Sequence, residues 1–232
     1  MIERFSIGVP PSILAKRFST EEPVAFQPKY NGAPAQLFPV ITSESPQGFS
    51  FFYWGLSPTW AKNKSIAERI INLRVEQVEE KPALKKKLTK HRCIVPADGF
   101  YAWKKVGKKT LIPWRFTLKS KEVFTIAGIW EEYEDDNESF HTFCIITSPP
   151  TDPIVSSVTD RMPLILTKEQ EKSWLKAVLT EVEILEIVSS INTQPMEGYT
   201  VSPQLNLIEY DKPSLILPMP AADQFGNLTL FD

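Results

Sequence analysis

The sequence predicts an α+β protein built mostly on an antiparallel sheet or barrel, with a few helices packed on it. Five segments are rich in aromatic and β-branched residues, as strands typically are. They are Gln36–Ile41, Phe49–Gly55, Ile112–Leu118, Val123–Trp130 and Phe140–Thr147. Twenty prolines spread over 232 residues favour many short elements over long helices. Because 42% of the residues are apolar, the chain can bury a core, and a disordered protein is excluded.

Helical signals are fewer than strand signals. The spacing of a helix-starting capping box occurs at Thr167–Gln170 and again at Ser65–Glu68. Pro82 suits the first turn of a helix over 83–90, because proline needs no backbone donor there. A further helix is predicted over Glu181–Ser190. Its buried face is predicted to carry Val182, Leu185 and Val188.

The chain has no internal repeat and no low-complexity linker, so the sequence predicts one domain over residues 1–210. A proline-containing tail over 211–232 is expected to follow it. No apolar run approaches the roughly 18–20 residues that a membrane helix needs, and no secretory signal is visible, so we expect neither membrane insertion nor export. Two cysteines and two histidines offer few ligands for zinc. We therefore expect a cytoplasmic protein with no metal and no cofactor.

Charge is sharply segregated along the chain, although the net charge is only −2. Between Lys81 and Lys109 there are ten Lys and Arg residues against one acid, Asp98, a net charge of +9. The remaining residues therefore carry −11, six of the acids lying between Glu131 and Glu138. This separation predicts a basic face that meets an anionic polymer, although a solvated lysine-rich helix and hairpin would give the same pattern.

Several short motifs place polar groups beside glycine, proline or aromatic residues. They are Arg4-Phe5, Tyr30-Asn-Gly-Ala-Pro34, Trp54-Gly55 ahead of Pro58 and Trp60, Ile71-Asn-Leu-Arg-Val-Glu76, Pro96-Ala-Asp-Gly-Phe-Tyr-Ala-Trp-Lys-Lys105 and Val158-Thr-Asp-Arg-Met-Pro163. In this order, over residues 1 to about 205, the chain resembles the SOS response-associated peptidase (SRAP) family. The resemblance implies binding of abasic sites in single-stranded DNA, including at junctions with duplex.

The resemblance also implies a reaction whose residues are missing from this chain. Family members begin Met-Cys-Gly-Arg, and the cysteine exposed by removal of Met forms a thiazolidine with the ring-opened sugar. A glutamate and a histidine assist by acid–base chemistry. Here Ile2 stands at the cysteine position, Ala102 at the glutamate position and Thr159 at the histidine position, and Glu3 replaces the glycine. Without the thiolate and both proton-transfer groups, we expect a catalytically inactive member.

The binding residues that the resemblance implies are retained. Arg4, Arg74 and Arg161 match family arginines that contact phosphates, a task suited to the guanidinium group. The matching polar residues are Asn31, Asn72 and Glu76. Trp60 and Trp103 are expected to stack on bases or to fill the gap left by a flipped-out sugar.

Purely structural roles remain open for several of these residues. Trp54 and Trp103 would also suit the core, and Asn72 and Glu76 would also suit hydrogen bonding within loops. Arg161 has acidic residues to pair with in Asp160 or Asp98. Four further residues are expected to lack a catalytic role: Cys93 and Cys144 as small buried hydrophobes, and His91 and His141 as surface residues.

Three functions compete at this stage. The first is non-covalent binding of single-stranded or junction DNA. The second is a rewired abasic-site lyase or peptidase-like enzyme that uses an amine nucleophile, either Lys104 or the Met1 α-amine, whose reference pKa is about 7.7–8.0. The third is an interaction module that has lost DNA binding altogether.

The C-terminal segment Asn227-Leu-Thr-Leu-Phe231 suggests a protein partner. It resembles the Gln-Leu-(Ser/Asp)-Leu-Phe pentapeptide that docks bacterial repair proteins and polymerases on the sliding clamp. Three prolines upstream, Pro213, Pro218 and Pro220, predict a stiff tether that projects this segment from the domain. The alternative is that the segment packs as a last strand on its own fold.

Overall fold

A computed structural model describes residues 1–55, 71–135, 138–190 and 194–229. The strands in these residues are β1 (Phe5–Ile7), β2 (Lys29–Gly32), β3 (Leu37–Thr42), β4 (Ser50–Trp54), β5 (Asn72–Arg74), β6 (Arg92–Ala97), β7 (Gly99–Val106), β8 (Thr110–Leu118), β9 (Phe124–Asp135), β10 (Glu138–Ser148), β11 (Met162–Pro163), β12 (Ile165–Leu166) and β13 (Met196–Thr200). The helices are α1 (Pro11–Phe18), α2 (Val75–Glu80), α3 (Pro82–Leu88), α4 (Pro153–Ser156), α5 (Lys168–Trp174) and α6 (Glu181–Ser189). The predicted α+β class is confirmed.

The strands form two sheets. One has the order β13-β8-β7-β1-β2 and is antiparallel throughout. In the other, β10, β4, β3, β6 and β9 follow one another, and β9 also pairs with β10, so these five strands close into a barrel. Most of these pairs are antiparallel, but β10 runs parallel to β4 and to β5. The parallel pairing places β5 beside the C-terminal end of β10, where the candidate site lies.

The core has three clusters. The largest joins the two sheets and contains aromatic rings from both, among them Phe5, Phe38 and Phe116. A second cluster lies between the barrel and the helices α2, α3, α5 and α6, with Trp174 buried in it. The third covers the outer face of the five-stranded sheet, around Tyr101.

Alternation along β7 shows how the sheet separates these clusters. Phe100 and Ala102 face the first cluster, whereas Tyr101 and Trp103 face the third.

Three helix predictions are tested directly by the described residues. The helix predicted over 83–90 is confirmed as α3, which begins at Pro82 and ends at Leu88. Thr167 begins α5 with a capping box, its hydroxyl accepting from Gln170 N while the Gln170 side chain accepts from Thr167 N. The predicted face of α6 is wrong at Val182, which is 64% exposed, because the helix packs through Ile184 and Val188 instead. The predicted capping box at Ser65–Glu68 lies outside the described residues.

The first part of the predicted tail packs on the domain. Leu215 is fully buried, and the Asp211 carboxylate accepts hydrogen bonds from the backbone of Tyr30 and Asn31 at 2.6 and 2.9 Å. Met219 N donates to Thr200 O at 2.9 Å. Residues 211–219 therefore do not project as the tether we expected, because a carboxylate and a buried leucine anchor them. The domain boundary at residue 210 stays a prediction.

Candidate functional site

Some of the residues predicted to contact DNA line one cleft of about 510 Å³. It lies where β5, the start of α2, the start of α3 and the end of β10 come together. Its lining residues are Met1, Ile71, Asn72, Leu73, Arg74, Gln77, Lys81, Ala83, Leu84, Thr147 and Arg161. Three predicted residues, Asn72, Arg74 and Arg161, are thus brought together from positions up to 89 residues apart. We call this cleft the β5 pocket.

Asn72 fixes the amino-terminal residues at the edge of the β5 pocket. Its Nδ2 donates to Ile2 O at 2.7 Å. The strand itself is held from the other side by Trp54, whose Nε1 donates to Ile71 O at 3.0 Å within the core. Asn72 Oδ1 is buried and accepts no hydrogen bond from the described residues.

Arg161 forms the wall of the β5 pocket through a paired carboxylate. Its Nη1 and Nη2 donate to the two oxygens of Glu76 at 2.7 and 3.1 Å, a bidentate geometry. Nη2 also donates to Thr147 O at 2.5 Å. The hydrogen bond from Arg161 lowers the pKa of Glu76 below its usual range. Arg161 is thus paired, as the structural alternative held, but with Glu76 rather than with Asp160 or Asp98.

Arg161 is almost completely buried, so its guanidinium group is held by the ion pair and is not exposed to solvent. Thr159 supports the turn that carries it: its Oγ1 accepts from Arg161 N at 3.3 Å and donates to Arg161 O at 3.2 Å. Glu76 keeps 45% of its side chain exposed and also lines a second, largely apolar cleft of about 450 Å³. The Glu76–Arg161 pair therefore stands between the two clefts.

The resemblance assigns the reaction to three positions, which here hold Ile2, Ala102 and Thr159. Ile2 is fully buried in the cluster that joins the sheets, and Ala102 belongs to the same cluster. Thr159 is occupied in its turn. A buried carboxylate at position 102 would need a polar partner, and Ile2 supplies none. Ile2 and Ala102 are thus both parts of one apolar cluster.

The remaining arginines differ in exposure. Arg74 is exposed at the β5 pocket, and its backbone N–H donates to Gln77 Oε1 at 3.1 Å where α2 begins. Arg4 is half-buried and does not line the pocket; its Nη1 donates to Glu3 O at 2.7 Å. Burial lowers the pKa of Arg4, although Glu3 opposes this. Arg74 is therefore the cation best placed to meet a ligand in the pocket.

The other predicted contacts lie away from the β5 pocket. Asn31 is fully buried, and its Nδ2 lies 3.2, 2.9 and 3.1 Å from the carbonyl oxygens of Leu205, Leu207 and Tyr210, which accept from it. These bonds give Asn31 a structural part in holding the C-terminal segment. Trp103 is half-buried on the outer face of the five-stranded sheet, where its Nε1 donates to Asn206 Oδ1 at 3.0 Å. Trp60 lies outside the described residues.

The sequence analysis does not predict a buried hydrogen-bond network around Asp98, which directly precedes β7. Asp98 accepts from Ser6 Oγ at 2.6 Å, from Gly8 N at 3.0 Å and from Arg115 Nη2 at 3.0 Å. A Cβ atom at position 99 would lie 2.7 Å from the Arg115 guanidinium, so the Asp-Gly step needs glycine. The Asp-Gly pair ahead of a strand was a visible signal, but the arginine partner lies 17 residues further on.

Cys93 is buried, as the sequence predicts, whereas Cys144 is only partly buried. Burial raises the pKa of Cys93 well above its ordinary value and that of Cys144 to about 12, so neither is a thiolate near neutral pH. The histidines are half-buried rather than fully exposed. His91 lies edge-on to Trp130 with ring centroids 4.7 Å apart, and burial lowers its pKa. His141 stacks on Phe52 at 4.7 Å.

Two further findings concern the described residues as a set. No three His, Cys, Asp or Glu residues among them lie close enough together to hold a metal ion. No helix over the described ranges is long and apolar enough to cross a membrane.

The basic segment is divided by the fold. Lys81 lines the β5 pocket, whereas Lys87 forms an ion pair with Glu131, at the start of the acidic block. The remaining lysines of the segment, from Lys104 onwards, lie on the β7–β8 hairpin of the other sheet. In the folded protein, basic and acidic residues are therefore less separated than they are along the sequence.

Comparison with known proteins gives consistent matches. Two curated relatives from Bacillus subtilis are named abasic site processing proteins. One, YoqW, is 39% identical over 194 residues, which cover 82% of this chain and 86% of the relative. The other, YoaM, is 39% identical over 184 residues, covering 78% and 81%. A Gallus gallus protein of the same description, HMCES, is 27% identical over 230 residues, covering 84% and 67%.

The fold and the family model agree with these relatives. A crystal structure of a Bacteroides thetaiotaomicron protein matches with a TM-score of 0.78 and 26% identity, over 93% of this chain and 99% of that one. The model of the family described as SOS response associated peptidase (SRAP) matches residues 1–208. The chain therefore belongs to the SRAP family.

Proposed function

We propose that this chain binds single-stranded or junction DNA at abasic sites through the β5 pocket, and that it does so without covalent capture. The observation that carries the proposal is the lining of the β5 pocket, where Arg74 and Lys81 supply positive charge. The absence of covalent capture is inferred from Ile2 and Ala102, which are buried in the core at positions that the resemblance assigns to the reaction. The naming of the relatives as abasic site processing proteins supports the choice of ligand.

The pocket offers positive charge to such a ligand. Arg74 and Lys81 supply positive charge for backbone phosphates, which dominate affinity in DNA binding. Asn72 also lines the pocket, and its side chain holds the backbone of Ile2 at the pocket edge. Arg161 is paired with Glu76 and forms part of the pocket wall, so it shapes the pocket and does not act as a free charge.

The first test is the affinity of an Arg74→Ala variant for labelled single strands and junctions, intact or carrying an abasic site. We expect the variant to bind about 5- to 20-fold more weakly, because a phosphate contact is lost. The slope of log K against log salt should become shallower by about 0.7 on a single strand. Fluorescence anisotropy over about 50–200 mM salt measures both quantities.

Lys172→Ala is the matched control for this experiment. Lys172 is an exposed cation on α5 that does not line the β5 pocket, so its removal should leave both affinity and slope unchanged. Equal behaviour of the two variants would reject the pocket as the binding site. Absence of binding by the unaltered protein would favour the interaction module.

A partner for such a protein is the bacterial sliding clamp, which we propose binds through Asn227–Phe231. Leu228 is 74% exposed, as an anchor for another protein would be; Leu230 and Phe231 lie outside the described residues. Surface plasmon resonance on an immobilised clamp should detect binding that Leu230→Ala plus Phe231→Ala abolishes. The clamp proposal would be contradicted by an absence of binding at protein concentrations up to about 100 μM, or by binding that survives the double substitution.

A further inference from the structure

A second surface combines aromatic and apolar side chains with lysines, at the hairpin end of the five-stranded sheet. In the β7–β8 hairpin, Trp103 lies opposite Pro113 and Lys105 lies opposite Leu111. Alternate residues of a strand and their cross-strand partners share a face, so these four side chains lie on the outer face. Leu111 is 39% exposed there. This face is the one opposite Ala102.

A rigid turn from the C-terminal segment extends this surface. Gln224 bridges the hairpin: its Nε2 donates to Lys109 O at 2.9 Å, and its Oε1 accepts from Leu111 N at 2.8 Å. The next residue, Phe225, is 80% exposed. The turn therefore presents an aromatic ring beside the lysines of the hairpin.

The turn is held by its own hydrogen bonds. Asp223 Oδ1 accepts from the backbone of Phe225 and of Asn227, both at 2.9 Å, and its Oδ2 accepts from Asn227 Nδ2 at 3.0 Å. Gly226 adopts a φ of +87°, which a residue with a side chain rarely does. Phe225 is thus preorganised in an exposed position, at the cost of leaving a large apolar ring in water.

We propose that this surface, the hairpin platform formed by Trp103, Lys105, Lys109, Leu111 and Phe225, binds the nucleic-acid strand beyond the lesion. The inference rests on the proposed DNA binding and extends it to a surface away from the β5 pocket; of the platform residues, Phe225 lies beyond residues 1–208, which the family model matches. The partner is a single strand: aromatic rings provide stacking faces and lysines provide phosphate contacts.

Charge complementarity favours this partner. Lys105, Lys108 and Lys109 are exposed, and among the described residues none has a carboxylate within ion-pair distance. The nearby Asp223 carboxylate is occupied by its turn. None of the platform residues lines the β5 pocket, so only a strand long enough to leave the pocket reaches both surfaces.

Strand length is therefore the variable that tests the platform. The variant is Phe225→Ala with Lys105→Ala, and its matched control is Val178→Ala with Lys172→Ala. Val178 is also 80% exposed, and Lys172 is also an exposed lysine, but neither belongs to the platform. Affinities are measured by anisotropy for strands of about 6 and about 24 nucleotides that carry a central tetrahydrofuran lesion.

We expect the platform variant to bind the long strand about tenfold more weakly, with a salt slope shallower by about 0.7, and the short strand with unchanged affinity. Phe225→Tyr should retain long-strand affinity, whereas Phe225→Leu should not, because stacking needs a ring. The control pair should match the unaltered protein on both strands.

The results separate this inference from the proposed function. Unchanged long-strand affinity in the platform variant, with a clear effect of Arg74→Ala, overturns the platform alone and leaves its apolar residues to a protein partner. A platform effect without an effect of Arg74→Ala supports the platform and rejects the pocket. Equal weakening on both strands, or an effect of the control pair, also overturns the platform.

Discussion

At the scale of single residues, the site is defined by pairs that the sequence separates widely. Arg161 and Glu76 are 85 residues apart, and their bidentate contact depends on β5 and the end of β10 lying side by side. The sequence places both residues in motifs, but it offers several acids as partners for Arg161. Distance along the chain cannot choose among them, because the choice follows from strand pairing.

The Glu76–Arg161 pair predicts a pH-dependent stability. Because the folded protein lowers the pKa of Glu76, its contribution is fully present above the unfolded pKa of about 4.3 and is lost as the pH falls through the folded value. Glu76→Gln should lower the free energy of unfolding by about 0.5–1.5 kcal/mol at pH 7, since Glu76 is half-exposed.

Urea denaturation at several pH values measures this contribution. The difference between the unaltered protein and Glu76→Gln should stay constant from about pH 6 to 8 and shrink below about pH 4. A difference that persists at pH 3 would mean that the charged pair is not its source.

At the scale of elements, the sequence predicts five of the thirteen described strands and three of the six described helices. All five predicted strand segments coincide with strands of the structure, because their aromatic and β-branched residues fill the core of two sheets. Helix α1 has no capping side chain before it, since Pro10 precedes Pro11, and it was missed. On α6, three aliphatic positions compete for the buried face, and the packing partner decides among them.

The C-terminal segment shows a second limit of the sequence. Prolines predicted a projecting tether, but the contacts that dock residues 211–219 are single polar groups, such as Asp211 on the backbone of β2. Isolated polar contacts of this kind leave no periodic signal. The docking explains why Asn31, in a family motif, is buried under this segment.

Asn31→Ala tests that structural part. Three carbonyl oxygens lose their donor, so we expect the free energy of unfolding to fall by about 1–3 kcal/mol. The DNA affinity of the folded protein should stay within about twofold of the unaltered protein, because the side chain has no exposed surface. Thermal denaturation and anisotropy below the transition give the two values; a loss of affinity without a loss of stability would restore Asn31 as a contact.

At the scale of the whole molecule, the fold brings three of the residues predicted to contact DNA to one pocket. The β5 pocket is lined by Asn72, Arg74 and Arg161, and Ile2 and Ala102 are buried in the core that joins the sheets. The resemblance seen in the sequence identified the family and these substitutions. It did not show that Arg161 is committed to a carboxylate or that Asn72 holds the backbone of Ile2.

The most direct measurement is to follow binding and covalent capture in the same sample of abasic single-stranded DNA. Anisotropy reports the complex, and a denaturing gel after heating in SDS reports any conjugate. A triple variant, Ile2→Cys with Ala102→Glu and Thr159→His, prepared with its cysteine at the amino terminus, serves as the positive control for capture. We predict that the unaltered protein gives a salt-reversible anisotropy signal and no conjugate. A heat-stable conjugate, with or without borohydride, or no binding at about 50 mM salt would contradict the account.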